Sequence, residues 1–421
     1  ILSNLSIPLV GAVDTAVMGH LPDPVYIGAV ALGATIFSFI FWGFGFLRMG
    51  TTGFVAQAFG QNDNLEICAV LTRALILACL FGLIVIVSQL LVIKVALWAF
   101  SGSEHLESLA QEYFVVRIWS APATLANYAI LGCLIGIQNT RAALYLQLLL
   151  NGINIVLDLL FVVGLEMGVE GVALATVIAD YCAAIMGFYL VSAYLKPLFD
   201  DARSIKIFDA GKLKSMLHVN TNIFIRTLSL IFAWAYFTAM GTRMGELTLA
   251  ANAVLLNFQY FLAYGLDGFA HAAEALVGSA YGSRDRNAFR RAVVTSTIWA
   301  FITAIGFALV YALFGPIFIR MLTSVPEVQT TSSLYLNWLI LSPFLSVWSY
   351  QLDGIFIGCT RTVEMRNGML ISLCCYLASS FWLIDVFGNH GLWTALMVFM
   401  VTRAITLGIW YPRIEAELKQ F

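Results

Sequence analysis

Apolar residues run along this chain in long stretches, and its polar residues gather in the short segments between them. About twenty apolar residues in a row cross a bilayer as a helix, and twelve stretches meet that length. They run roughly over 1–19, 26–57, 67–98, 112–135, 142–163, 171–195, 221–240, 249–277, 291–321, 332–357, 368–387 and 392–410. The pattern predicts an all-α integral membrane protein with twelve transmembrane helices. Several stretches exceed what a bilayer needs, so tilt or extension beyond it is expected.

Composition sharpens this picture. Of 421 residues, 61% are hydrophobic and 11% charged, against roughly 25% charged in a soluble domain. The net charge of -2 suggests no nucleic-acid partner. The seven cysteines show no ligand spacing and read as small buried hydrophobes. Ile1 already lies in an apolar stretch without signal-peptide features, so the first helix is expected to begin upstream. Lys and Arg collect in alternate loops, Arg73, Arg141, Arg284, Arg286 and Arg361 among them, with only Arg243 and Arg320 opposite. That bias predicts an inner-membrane protein with both termini cytoplasmic.

The most charged stretch, opening at Lys196-Pro197, separates six helices from six. It divides the chain into an N-terminal lobe (1–195), a cytoplasmic linker (196–218) and a C-terminal lobe (219–421). The halves also repeat. Ala58-Phe59-Gly60-Gln61-Asn62-Asp63 returns as Ala280-Tyr281-Gly282-Ser283-Arg284-Asp285, 222 positions later. At that offset Met18-Gly19 meets Met240-Gly241, Tyr128 meets Tyr350, Gly132 meets Gly354 and Gly136 meets Gly358. Two pseudo-symmetric six-helix lobes of like orientation are a transporter plan.

Ionisable residues inside a membrane are costly and mark function. Asp14 lies in Val13-Asp14-Thr15, roughly 10 Å from the outer end of the first helix at 1.5 Å per residue. Asn154 and Asp158 are four apart on one face of the fifth helix. Thr176 and Asp180 reach a similar depth on the sixth. Crowded carboxylates cannot all ionise cheaply, so these five residues form a candidate cation-coupling layer. Their oxygens would also suit Na+ at Asp14, Asn154, Asp158 and Thr176; no other metal and no cofactor is expected. Pro8 frees a backbone carbonyl and lets the first helix bend beside the cavity. In the other lobe Asp267, His271 and Glu274 share a helix face, with Arg226 at like depth, and read mainly as an ion-pair network. No nucleophile–base pair or metalloprotease motif suggests an enzyme.

The run Val13-Asp14-Thr15-Ala16-Val17-Met18-Gly19-His20, together with Ala263-Tyr264-Gly265-Leu266-Asp267-Gly268-Phe269-Ala270 and Leu352-Asp353-Gly354-Ile355-Phe356-Ile357-Gly358-Cys359-Thr360-Arg361, resembles the DinF branch of the MATE (multidrug and toxic compound extrusion) family. The resemblance implies a V-shaped pair of lobes alternating between outward-open and inward-open forms, and export of cationic or amphipathic drugs in exchange for H+ or Na+. It implies coupling at Asp14, a polar network at Asn154, Asp158 and Thr176, and a cavity tyrosine at Tyr113. Where some members carry an acid on the seventh helix, this chain has Arg226, so coupling is expected in the first lobe. The resulting expectation is a monomeric H+-coupled multidrug antiporter, with Na+ coupling or flipping of a lipid-linked precursor as alternatives.

Overall fold

The computed structural model describes residues 25–100, 103–200 and 205–418. The first helix, with Asp14 and Pro8, lies outside the described residues. Every regular element among the described residues is helical. The chain divides into two compact units, residues 2–216 and 217–421.

The first unit holds α1 (Val25–Gly43), α2 (Phe46–Gly60), α3 (Asn64–Val87), α4 (Gln89–Phe100), α5 (Glu104–Arg117), α6 (Ala121–Gly136), α7 (Thr140–Asp158) and α8 (Gly168–Asp200). The second holds α9 (Ala210–Arg243), which starts just before the boundary, then α10 (Glu246–Gly282), α11 (Arg286–Leu322), α12 (Pro326–Gly358), α13 (Thr362–Phe387) and α14 (Asn389–Glu417). Ten spans among the described residues are long and apolar enough to cross a membrane. Helix α12, 33 residues long, has the length and carries more polar residues.

Four expected single helices of the first unit are broken, and the third, expected over 67–98, parts at Ser88 between α3 and α4. Between α1 and α2, Phe44 and Gly45 donate to Phe41 and Trp42 three residues back, at 3.0 and 3.1 Å, where Gly43 and Gly45 flank the kink. Between α5 and α6 lies a 3-10 turn, Ile118–Ser120, followed by Pro122, whose missing N–H is tolerated in a first turn. After Asp158 the helix widens into a π segment, Leu159–Gly164. Each break interrupts the helical ladder without interrupting the apolar run, which is why hydropathy does not reveal it.

The sequence repeat becomes a backbone repeat. Asn62 and Arg284 adopt left-handed φ values of 57° and 59°, and Gln138 and Thr360 adopt 61° and 54°, each pair 222 positions apart. The N–H of Asp63 bonds the Ala58 carbonyl at 3.0 Å, and Asp285 repeats it on Ala280 at 3.1 Å. Both aspartates then cap the next helix through the N–H three residues on, at 2.9 Å. The glycines repeat as well. A Cβ on Gly132 would lie 2.5 Å from the Arg48 carbonyl oxygen, and one on Gly354 would lie 2.9 Å from Ala270 Cα. Added at Gly358, it would lie 2.6 Å from the Glu274 carbonyl oxygen; at Gly136, 3.0 Å from that of Thr52. Both units therefore bring two helices together backbone to backbone at the same register, which only a small residue permits.

Cores grow around these crossings. In the first unit Val55, Leu71, Ile130, Leu134 and Leu146 pack together; in the second, Phe237, Leu262, Leu339, Tyr376, Trp393 and Phe399 do. The second unit also contains a buried ionic knot. Arg226 of α9 and Arg403 of α14 both donate to one oxygen of Asp353 on α12, Arg403 at 2.6 Å. Arg403 additionally faces the rings of Phe399 and Tyr350, at 5.6 and 5.9 Å.

The charged linker is tied to the first unit. Arg73 donates to the carbonyls of Lys206 and Ile207, both at 2.7 Å, and to Glu66 at 3.1 Å; Lys212 pairs with the same glutamate. Asp209 caps α9, accepting from the Lys212 N–H at 3.0 Å. That backbone bond, with the Lys212 charge, holds its carboxyl below the usual aspartate range.

Three outcomes follow from this packing. Gly132→Leu and Gly354→Leu will each destabilise their own unit by about 1–3 kcal/mol or more, as overpacking does, read from the thermal midpoint in detergent. Asp353→Ala will cost about 3 kcal/mol because it strands two buried guanidinia, read the same way. Because the native carboxyl of Asp209 is depressed, its cap is fully present above the unfolded aspartate pKa of about 3.9 and is lost as pH falls from there through the native value. Amide exchange over 210–214, corrected for the intrinsic rate, will therefore show protection falling below about pH 4 in wild type and staying flat in Asp209→Asn.

Candidate functional site

Among the described residues, the polar layer of the first unit is assembled by two spans. On α7 Asn154 and Asp158 stand one turn apart and are both buried, 1% and 0% exposed. From α8, Thr176 accepts a hydrogen bond from the Asn154 amide at 3.1 Å while donating to the Val172 carbonyl at 3.1 Å. The amide oxygen of Asn154 has no hydrogen-bond partner among the described residues. Asp158 ends the regular part of α7, and the π segment begins at the next residue. Such widened turns are frequent at functional sites.

Asp180, one turn beyond Thr176 on α8, belongs to a second group of contacts. Its carboxylate accepts from the Thr124 hydroxyl at 2.7 Å, and its backbone carbonyl accepts from the Asn127 amide at 2.9 Å. Ser120 accepts from the same Thr124 hydroxyl at 3.2 Å, and Arg117 is within electrostatic reach of the carboxylate. Arg117, Ser120, Thr124 and Asn127 form one stripe along the broken fourth span, spaced by three, four and three. Sequence reasoning passed over this stripe, although the same-face rule that paired Asn154 with Asp158 would have found it. The Arg117 guanidinium lies over the rings of Phe37 and Tyr113 at 5.4 and 5.9 Å.

Tyr113 is 1% exposed and sits edge-on to Phe37, with ring centroids 6.3 Å apart. It packs so closely on Gly33 that a Cβ there would come within 2.8 Å of its ring. Its hydroxyl-bearing ring is part of an aromatic wall with Phe37 and Phe114, stacked 5.0 Å apart.

In the second unit, Arg226 pairs directly with Asp353. Asp267 is an electrostatic neighbour of Arg226 and of Tyr350. Glu274 is 1% exposed, and its carbonyl lies against Gly358 at the helix crossing. His271, between them on α10, is partly exposed. Arg403, in the middle of the last span, was missed because that stretch stays apolar on average despite it. Among the described residues, no group of three or more His, Cys, Asp or Glu side chains could hold a metal ion.

The repeat supplies a further comparison. Asp14, Asn154 and Asp158 correspond at the 222 offset to Tyr236, Tyr376 and Ser380. These three meet in the second unit: the hydroxyls of Tyr236 and Ser380 are 2.9 Å apart, and the Tyr236 and Tyr376 rings are edge to face at 5.5 Å. The second unit therefore fills the corresponding place with hydroxyls and aromatic rings.

Comparison with known proteins agrees with this architecture. The MatE family model matches residues 1–160 and again 223–382, two segments in the same 222-residue register. The chain is 41% identical over 411 residues to DNA damage-inducible protein F of Escherichia coli (strain K12), covering 97% of this chain and 89% of that one. It is 25% identical to a probable multidrug resistance protein NorM of Photorhabdus laumondii subsp. laumondii, covering 97% and 92%. In fold it matches the crystal structure of MATE in the bent conformation, with a TM-score of 0.89 at 22% identity, over 99% of this chain and 93% of that one. An outward-facing multidrug resistance MATE family transporter matches with a TM-score of 0.88 at 21% identity, over 100% and 95%. The chain thus belongs to the MatE family, and it is a transporter, not an enzyme.

Proposed function

We propose that this protein is a multidrug antiporter of the inner membrane, exporting cationic or amphipathic compounds in exchange for H+. Coupling runs through Asp14 with Asn154, Asp158, Thr176 and Asp180 of the N-terminal lobe. The lobes are residues 1–195 and 219–421, joined by the cytoplasmic linker 196–218. Both termini are cytoplasmic and the working unit is a monomer in the bilayer.

The observation that carries this reading is the buried carboxylate of Asp158, one helical turn from the Asn154–Thr176 hydrogen bond and at the start of the π segment. A carboxylate in such a place changes its contacts when it gains a proton, because the neutral acid donates where the anion only accepts. The contact between Tyr236, Ser380 and Tyr376 supports pairing Asp14 with this group, since these are its counterparts in the repeat. It also supports confining coupling to one lobe, because none of the three is a carboxylate. Coupling then requires that ionised and protonated layers favour different conformations by a differential free energy. In the second lobe Arg226 and Arg403 already neutralise Asp353, which supports a structural role for that knot together with Asp267, His271 and Glu274.

Na+ coupling is the second reading, favoured by the unpartnered amide oxygen of Asn154. A small hard cation takes such oxygens as readily as carboxylates.

Purified protein in proteoliposomes, given a pH gradient or a Na+ gradient separately, decides between them with a fluorescent organic cation as cargo. The pH gradient alone will drive export in wild type. Asp14→Asn and Asp158→Asn will insert normally and lose that export by on the order of 100-fold, the scale of a full coupling energy. Export driven only by Na+ would transfer the role to that ion, and export driven by neither would favour a lipid-precursor flippase.

A further inference from the structure

Arg117 stands at the junction of α5 with the 3-10 turn Ile118–Ser120, one of the breaks in the fourth span. Its guanidinium faces Phe37 and Tyr113 at 5.4 and 5.9 Å and lies within electrostatic reach of the Asp180 carboxylate. The rings are fixed: both are 1% exposed, and Phe37 is further stacked on Phe41 and Phe114 at 5.6 and 5.0 Å. Two ring faces and a carboxylate are the groups by which proteins hold organic cations. In this lobe the group held there is the protein's own side chain.

We propose that Arg117 is a tethered competitor for this aromatic corner, so that a cationic cargo binds in the N-terminal lobe by displacing its guanidinium from Phe37 and Tyr113. Displacement is feasible because arginine has a long flexible stem that can carry its head elsewhere while the stem stays packed. The site survives its departure, since Thr124 and Asn127 hold Asp180 independently of Arg117. The consequence is selectivity. A ligand must match a guanidinium to take its place, so planar, delocalised, weakly hydrated cations compete well, while compact ammonium groups and neutral molecules do not. The inference rests on the cationic-cargo reading for the class of ligand, and not on which ion drives the cycle.

The test is equilibrium binding to detergent-purified protein, with no gradient present, using rhodamine 6G as the cation and an uncharged dye of similar size as control. Arg117→Gln will bind the cation about 10-fold more tightly, the scale of a desolvated cation–π contact, with the uncharged dye unchanged. Arg117→Lys, which reports on folding and retains a tethered charge but offers only a compact ammonium, will bind the cation with an affinity between those of wild type and Arg117→Gln. In Arg117→Gln, millimolar guanidinium chloride will compete with rhodamine 6G where the same concentration of sodium chloride does not, a readout that a purely structural arginine would not produce. Should Arg117→Gln fail to fold, Arg117→Met gives the same comparison. Cation affinity that is unchanged or weakened in the neutral variants, or insensitivity to guanidinium, overturns the inference. Absence of rhodamine 6G binding in wild type and variants alike overturns the cationic-cargo reading, and the inference with it.

Discussion

Charge inside a membrane span is the constraint on which the rest of this structure depends. An ionised group in that medium costs several kcal/mol unless it is paired or solvated, so each one must be answered by particular neighbours. The two units answer it differently. The second closes Asp353 between two arginines and sets two rings against one of them, Arg403. The first uses mainly hydroxyls and amides, with Arg117 as a charged neighbour of Asp180: Thr124 on Asp180, and Thr176 on Asn154 beside Asp158. A pair of opposite charges is hard to alter without loss of stability, whereas a carboxylate held by neutral groups tolerates a change of protonation. That contrast, more than the presence of acids, distinguishes a structural knot from a candidate coupling site.

Helix breaks extend the same theme. The 3-10 turn after Arg117 and the π segment after Asp158 both fall next to polar residues of the first unit, where the regular ladder is already compromised. Backbone irregularity at membrane depth is tolerated where protein covers it.

Much of this was legible in the sequence, because bilayer thickness fixes the length of an apolar run and therefore the number and position of the spans. The offset of 222 was visible in the loop motifs, and it recurs in the dihedral angles of Asn62 and Arg284. Depth alone put Asn154 and Thr176 in one layer, and the hydrogen bond between them came from the structure. What stayed hidden had physical reasons. The pairing of Arg226 with Asp353 could not be read from depth, since Asp267 and Asp353 lie on different helices at comparable height. Arg117 and Arg403 were submerged in apolar averages. Breaks at Phe44, Ile118 and Leu159 leave hydropathy untouched, and Asp14 and Pro8 fall outside the described residues.

The left-handed corners carry a consequence for how variants of this protein compare between its halves. Asn62 and Arg284 share no side-chain chemistry, nor do Gln138 and Thr360, yet each pair holds the same unusual backbone angle. What the halves share at these places is a demand on the main chain, indifferent to the side chain that meets it. A substitution judged by that demand, at a corner or at a crossing glycine, transfers from one half to the other. A substitution in the polar layer does not, because there the common frame holds carboxylates in one half and hydroxyls in the other.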